Sequence, residues 1–344
     1  MKILSLIVPA YNSAAFLNRC VDSFLEPRVL EKLDIILVND GSRDETPEIG
    51  KRYAETYPGS VRLISQENRG HGGALNTGCA AAVGKYLKVI DADDWVMTEN
   101  LPAYLAFLEG CESDVVLTHH HTVDISTGEV KSWKSYPDRF GAAYSLREIM
   151  LRWKDFDRSL TFHGITYRTE FYHRYGIGLS EHVFYEDHEF ATFPCCRAGS
   201  VSPCDLFLYE YRIGDVAQSV SADNQLRRIG HTETVLKRLA SEYARQLPEL
   251  DDGARAYVCM KAQGLLMSYL TTTLLVDPDR KQGRARAGEM MAFFRDAIPG
   301  TYEKARKQYR ILQTLNRLGI SKSAFDRVLG SRLYNRLRGN HTFE

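Results

Sequence analysis

The feature that most restricts this chain is a repeated alternation near its start. Short apolar runs at residues 3–9, 34–39, 61–65 and 86–91 are separated by segments with helical spacing at 14–25, 45–57 and 73–83. Strand, helix and strand repeated in this way predict right-handed βαβ units and a mostly parallel sheet flanked by helices, an α/β fold. In such sheets ligands bind beyond the carboxyl ends of the strands. The polar residues that follow each apolar run are therefore the first candidates for chemistry.

The pattern continues with a helix at 101–108, a strand at 114–120, a hairpin over 124–136 turning at Ser126-Thr127-Gly128, and a short helix at 146–153. From about residue 224 the spacing is helical to the end, at 226–247, 254–275, 283–297, 302–318 and 324–337. These changes predict a ligand-binding domain over 1–223 and a helical domain over 224–344. The longest apolar stretch, at 265–276, is far shorter than the roughly 20 residues a bilayer span needs. Met1-Lys2 and the run after them lack the pattern of a signal peptide and read as a first strand. Seven scattered cysteines without C-x-x-C spacing point to reduced thiols and a cytoplasmic location, with neither a zinc site nor a disulfide framework.

Lys plus Arg and Asp plus Glu are equal at 44 each, so no overall field favours nucleic acid. The tail differs: residues 304–344 carry ten Lys/Arg against two Asp/Glu. There Ile311, Leu312, Leu315, Leu318, Phe325, Val328, Leu329, Leu333 and Leu337 recur at helical spacing, with Arg317, Arg327, Arg332, Arg336 and Arg338 interspersed. A basic amphipathic segment of this kind, here 302–338, either lies on anionic lipid at the inner face of the plasma membrane or packs on the protein with a solvated basic face.

Five constellations follow the apolar runs. In Pro9-Ala10-Tyr11-Asn12 the proline ends the ladder and the aromatic can stack on a flat base; the plainer reading is a turn with Asn12 or Ser13 as helix cap. In Asn39-Asp40-Gly41-Ser42 a carboxylate at a strand's end can accept from a base N–H or a ribose hydroxyl, or simply cap the next helix. In Asp91-Ala92-Asp93-Asp94, residues two apart on an extended chain share a side, so Asp91 and Asp93 converge. Their repulsion, on the order of 3 kcal/mol, is relieved by a hard dication such as Mn²⁺ or Mg²⁺. Glu186-Asp187 offers a general base, or a solvated helix start. Arg212, with the segment Gln218-Ser219-Val220-Ser221 after it, offers a cation for a diphosphate, or an exposed arginine on a strand. His119-His120-His121 lacks a third ligand on one face. Gly70-His71-Gly72-Gly73 lacks the spacing of a phosphate-binding P-loop, although it opens a helix whose N–H groups can meet an anion.

In this order the motifs resemble the family 2 glycosyltransferases of GT-A, Rossmann-like fold. The matching pieces are residues 5–12, Val38-Asn39-Asp40-Gly41-Ser42 with Asp44 and Thr46, Asn68-Arg69-Gly70, residues 84–87 leading into Asp91-Ala92-Asp93-Asp94-Trp95, and Glu186-Asp187. The resemblance implies that Pro9, Tyr11 and Asp40 belong to the nucleotide site, with uracil the usual base. It implies that Asp91 and Asp93 are the D-x-D pair for ribose and metal–diphosphate, that Asp187 is the catalytic base, and that Arg212 lies in a Tyr-x-Tyr-Arg segment. The implied partners are a nucleotide-sugar donor and a glycan or lipid-linked acceptor, joined with inversion at the anomeric carbon in non-processive cell-surface polysaccharide synthesis. One departure is Ala74-Leu75-Asn76, where many members carry Ala-Arg-Asn. Two rivals are a nucleotidyltransferase, which would show a Gly-rich basic signature at the first strand, and a non-catalytic scaffold that binds a partner through its helical tail.

Overall fold

The computed structural model describes residues 1–214 and 222–329. The strands are β1 (Leu4–Ala10), β2 (Leu33–Asp40), β3 (Val61–Gln66), β4 (Tyr86–Val89), β5 (Trp95–Val96), β6 (Val115–Asp124), β7 (Val130–Trp133), β8 (Ile165–Arg168) and β9 (Val201–Ile213). Helices α1 (Ala14–Asp22), α2 (Thr46–Thr56), α3 (Gly70–Ala81), α4 (Leu101–Gly110), α5 (Leu146–Leu151), α6 (Thr169–Tyr175) and α7 (Asp187–Thr192) connect them. After β9 come α8 (Ala222–Arg227), α9 (Ile229–Gln246), α10 (Asp252–Thr271), α11 (Arg280–Ala297), α12 (Pro299–Arg317) and α13 (Lys322–Leu329).

The sheet has the order β3-β2-β1-β4-β8-β6-β9-β5, with β7 on β6. Its first four strands are parallel, joined by α1, α2 and α3 as the βαβ pattern predicts. Beyond β4 the pairing is antiparallel except between β6 and β9. β1 and β2 are buried along their whole length, as central parallel strands covered on both faces must be. Pro9 does not end its ladder: it pairs in register with Val38. Ile7 accepts from Ile90 on the β4 side, and Pro9, two residues on, points the same way where β4 has already stopped at Val89. Its missing N–H therefore leaves no bond unmade.

The chain divides into two compact units, Met1–Gln218 with Gln246–Val258, and Ser219–Arg245 with Cys259–Glu344. Within the second unit α11 and α12 pack together, and α12 buries Thr301, Ala305, Leu312 and Asn316. The apolar stripe of the tail is thus divided: Leu312 is internal, whereas Ile311 and Leu318 are exposed. The side chains of Val328 and Leu329, together with Arg332, Leu333, Arg336, Leu337, Arg338 and the segment Gln218-Ser219-Val220-Ser221, lie outside the described residues. No described helix is long and apolar enough to cross a membrane.

Candidate active site

Two loops at the carboxyl ends of β1 and β2 are sewn together. The Asn12 N–H donates to Ser42 Oγ at 3.0 Å, and the Arg43 N–H donates back to Asn12 Oδ1 at 2.9 Å. The Asp44 carboxylate accepts from the N–H of Ala14 at 3.0 Å and of Thr46 at 3.1 Å, joining the start of α1 to that of α2. On this base Tyr11 stands half exposed, and Asn12 takes a left-handed φ of 49°. Asp40 is buried. Its Oδ1 accepts from Gln66 Nε2 at 2.7 Å and from the Arg69 N–H at 2.9 Å, while its Oδ2 has no partner among the described residues. An unpaired buried carboxylate oxygen costs free energy unless something outside the chain donates to it.

The acidic run after β4 does not share a side through strand alternation, as the extended-chain argument expects. β4 ends at Val89, and the chain turns at once, the Asp94 N–H donating to the Asp91 carbonyl at 3.0 Å. The turn is anchored by β9: Tyr209 O–H donates to Asp94 Oδ2 at 2.6 Å, the Arg212 N–H donates to Asp94 Oδ1 at 2.8 Å, and the Asp91 N–H donates to Tyr209 Oη at 3.1 Å. Asp94 is therefore the structural acid of the three. Asp93 is half exposed, with Arg212 Nη1 at 3.7 Å from its carboxylate. Arg212 is not the exposed arginine of the plainer reading: it is buried over the Phe16 ring, 4.5 Å from the centroid. Burial and the neighbouring Asp91 push the Asp93 carboxyl up, and burial with Asp91 and Asp93 pushes Asp94 well up.

Glu186-Asp187 opens α7, but not as a solvated helix start, since Glu186 and Glu189 are buried. Glu189 accepts from the Ser180 N–H and hydroxyl at 2.8 and 2.7 Å. Tyr185, just before the pair, sits at φ 74°, an outlier for a bulky residue. Asp187 is half buried, and its negative charge, like that of Asp91, acts on His163 and Tyr211.

The residue that motif reading passed over is His71. Its Nε2 meets Asp91 Oδ1 at 2.9 Å and its Nδ1 meets Glu186 Oε1, so one ring spans the D-x-D turn and the start of α7. Burial opposes a charged ring, but Asp91 and Glu186 outweigh it and hold the imidazole well above its usual range. Leu75, where the resemblance leads one to expect Arg, is fully buried one turn further along the same helix. The three consecutive histidines are dispersed: His119 pairs with Asp205, His121 with Glu210, and His120 stacks near Trp133 and His163. Among the described residues no group of three or more His, Cys, Asp and Glu is gathered for a metal ion.

Comparison with known proteins decides the family. The profile described as glycosyl transferase family 2 matches residues 5–176, half of the chain. The chain belongs to this family. Among curated relatives of this chain, the uncharacterized glycosyltransferase EpsJ of Bacillus subtilis (strain 168) is 30% identical over 223 residues, covering 62% of this chain and 61% of EpsJ. The putative glycosyltransferase EpsH of the same organism is 32% identical over 218 residues, covering 61% of this chain and 60% of EpsH. The chain thus spans about three fifths of the length of these relatives. Among solved structures, S. aureus TarS 1-349 in complex with UDP-GlcNAc matches with a TM-score of 0.56 at 19% identity, covering 93% of both chains. At that identity the likeness is one of fold, the α/β sheet flanked by helices of the GT-A type.

Proposed function

We propose that this family 2 glycosyl transferase moves a sugar from a UDP-linked donor to a hydroxyl of a glycan or lipid-linked acceptor in cell-surface polysaccharide synthesis, inverting the anomeric carbon. Asp40 carries the reading. Its buried, unpartnered Oδ2 at the end of β2 suits the imide N–H of uracil, and the half-exposed ring of Tyr11 on the adjoining loop suits the flat face of the base. TarS, of the same fold, binds UDP-GlcNAc, which supports a uridine donor here.

The residues beyond β4 fit a divalent cation. Burial and the neighbouring Asp91 push Asp93 up, a crowding of two carboxyl groups that a hard dication would relieve. Asp91 and Asp93 would hold Mn²⁺ or Mg²⁺, and such an ion would supply charge stabilisation for a departing diphosphate. Arg212 adds fixed positive charge on the same side. Asp187 takes the proton of the acceptor hydroxyl as that oxygen bonds to the anomeric carbon. The bond from that carbon to the diphosphate breaks, and the nucleoside diphosphate leaves with the electron pair. Attack from the face opposite the leaving group turns an α-linked donor into a β-linked product.

Calorimetric titration of UDP, with Mn²⁺ and again with EDTA, tests the site. Binding that disappears in EDTA supports it; binding indifferent to EDTA removes Asp91 and Asp93 as metal ligands, and no binding in either buffer overturns the UDP reading. Contact of residues 302–338 with a lipid surface also belongs to this reading, supported by the exposed Ile311 and Leu318. Anionic liposomes should pellet the full chain but not an Ile311→Glu, Leu318→Glu variant; equal pelleting removes the contact.

A further inference from the structure

His71 lies between two parts of the site that the chain builds separately. On one side is the turn after β4 that carries Asp91 and Asp93. On the other is a strap, residues 179–182, fastened to the middle of α3 at Asn76 and to Arg69 just before the helix. The Leu179 N–H donates to Asn76 Oδ1 at 2.7 Å, Asn76 Nδ2 donates to the Leu179 carbonyl at 3.0 Å, and the His182 N–H donates to the Arg69 carbonyl at 3.0 Å. Gly72 makes the seating possible, because a Cβ there would stand 2.1 Å from the Ser180 carbonyl oxygen and 3.1 Å from Glu186 Cγ. The strap then runs through Tyr185 into Glu186 and Asp187. Helix, strap and the start of α7 thus form one assembly, in which His71 faces Glu186.

The two ring nitrogens of His71 meet two different carboxyl groups, Nε2 that of Asp91 at 2.9 Å and Nδ1 that of Glu186. One imidazole therefore sets the separation between Asp91 and Glu186. Asp93 lies two residues beyond the first, and Asp187 directly follows the second. Phe162 packs on the ring at 6.1 Å between centroids and meets Phe190 of α7 edge-on at 5.4 Å, limiting the tilt of the imidazole.

We propose that His71 is a positioning residue for sugar transfer, holding the D-x-D turn and the Glu186-Asp187 helix start in register through simultaneous bonds to Asp91 and Glu186. The inference rests on the donor and base sites proposed above. Misplacing reacting groups by about an ångström costs on the order of 100-fold in rate, whereas Tyr11, Asp40, Asp91 and Asp93 themselves all remain to bind nucleotide in a variant at His71.

The two bonds can be separated by substitution. The amide nitrogen of Asn falls near Nδ1 of histidine and keeps the Glu186 bond; that of Gln falls near Nε2 and keeps the Asp91 bond. The measurements are steady-state kinetics of UDP release on whichever of UDP-glucose, UDP-galactose and UDP-N-acetylglucosamine the wild type turns over fastest, UDP titration in Mn²⁺, and thermal melting. His71→Ala should lower kcat by roughly 100-fold while UDP affinity stays within about threefold, and His71→Asn and His71→Gln should each recover about tenfold of that loss. In a Glu186→Gln background His71→Ala should cost about tenfold less than in the wild type, because one of its two partners is already altered. The proposal is overturned if His71→Ala keeps kcat within about threefold, or if all three variants lose activity in proportion to a lowered melting temperature. A wild type that neither binds UDP nor turns over any of the three sugars would instead overturn the donor reading on which the inference stands.

Discussion

Asp40→Asn is the substitution with the sharpest expected consequence. Two donors, Gln66 Nε2 at 2.7 Å and the Arg69 N–H at 2.9 Å, converge on Oδ1, while the buried Oδ2 has none. An asparagine can keep its oxygen at the Oδ1 position and accept both bonds, so the fold should lose little. The amide NH₂ then occupies the Oδ2 position and turns an acceptor into a donor. Against uracil, whose imide N–H donates, the variant loses a charge-assisted hydrogen bond of about 1.5–3 kcal/mol. That corresponds to roughly 10- to 150-fold weaker UDP binding, at about 1.4 kcal/mol per tenfold. Cytosine presents an acceptor at the same ring position, so CDP should lose far less and the UDP-to-CDP preference should fall or reverse. Calorimetry with both nucleotides in Mn²⁺, beside thermal melting, measures it. An unchanged UDP affinity with an unchanged preference would show that Asp40 does not read the base.

Further predictions follow from neighbouring geometry. Asp187→Asn should keep UDP affinity within about twofold and lower sugar transfer by about 100- to 10,000-fold, read from titration and product formation; wild-type turnover would move the base elsewhere. Gly72→Ala forces a Cβ to within 2.1 Å of the Ser180 carbonyl, so denaturant unfolding should show a loss on the order of 2–4 kcal/mol, and an undiminished midpoint would contradict the close seating of the strap. Lys88 is wholly buried, its ammonium held by the His163 and Ile165 carbonyls at 2.6 and 3.2 Å, and burial pulls it down to about 7. The unfolded chain keeps an ordinary lysine near 10.4, so between these values the unfolded state binds the extra proton and stability rises with pH. Relative to Lys88→Met, the wild type should gain about 1.4 kcal/mol per pH unit between pH 7 and 10 in urea unfolding, a gain lost as pH falls toward 7; parallel curves would refute the shift.

What the sequence made legible was the parallel half of the sheet. There each strand is a continuous apolar run and each crossover an amphipathic segment, so one-dimensional periodicity encodes both elements and order. The antiparallel half was less visible because its elements are short or divided. β5 has two residues, Trp95–Val96, and β8 four, Ile165–Arg168, too few to display a period. β9 pairs with β6 from Val201 to Ile213, with register shifts around His119, and takes β5 on its other edge only at Tyr209 and Glu210. No local pattern reports such long-range pairing or its shifts of register.

The site divides along the same line. Asp40, Asp91 and Asp93 follow apolar strands, and strand ends advertise themselves. His71 does not: it follows a glycine with φ of 75° at the head of a helix, and its partners are 20 and 115 residues away. Yet a signal was present in the composition of that turn. Glycine is a poor helix former, and three glycines at positions 70, 72 and 73 would weaken a helix start for nothing unless another segment had to approach its backbone. Ser180, His182 and Glu186 are that segment. The side chain left standing among those glycines is then the one the close approach delivers to both carboxylates. The departure at Leu75 reads differently in this light: the long cation expected there is replaced by a buried leucine, and the positive charge on that face of α3 comes instead from His71, one turn nearer the helix start and in contact with both halves of the site.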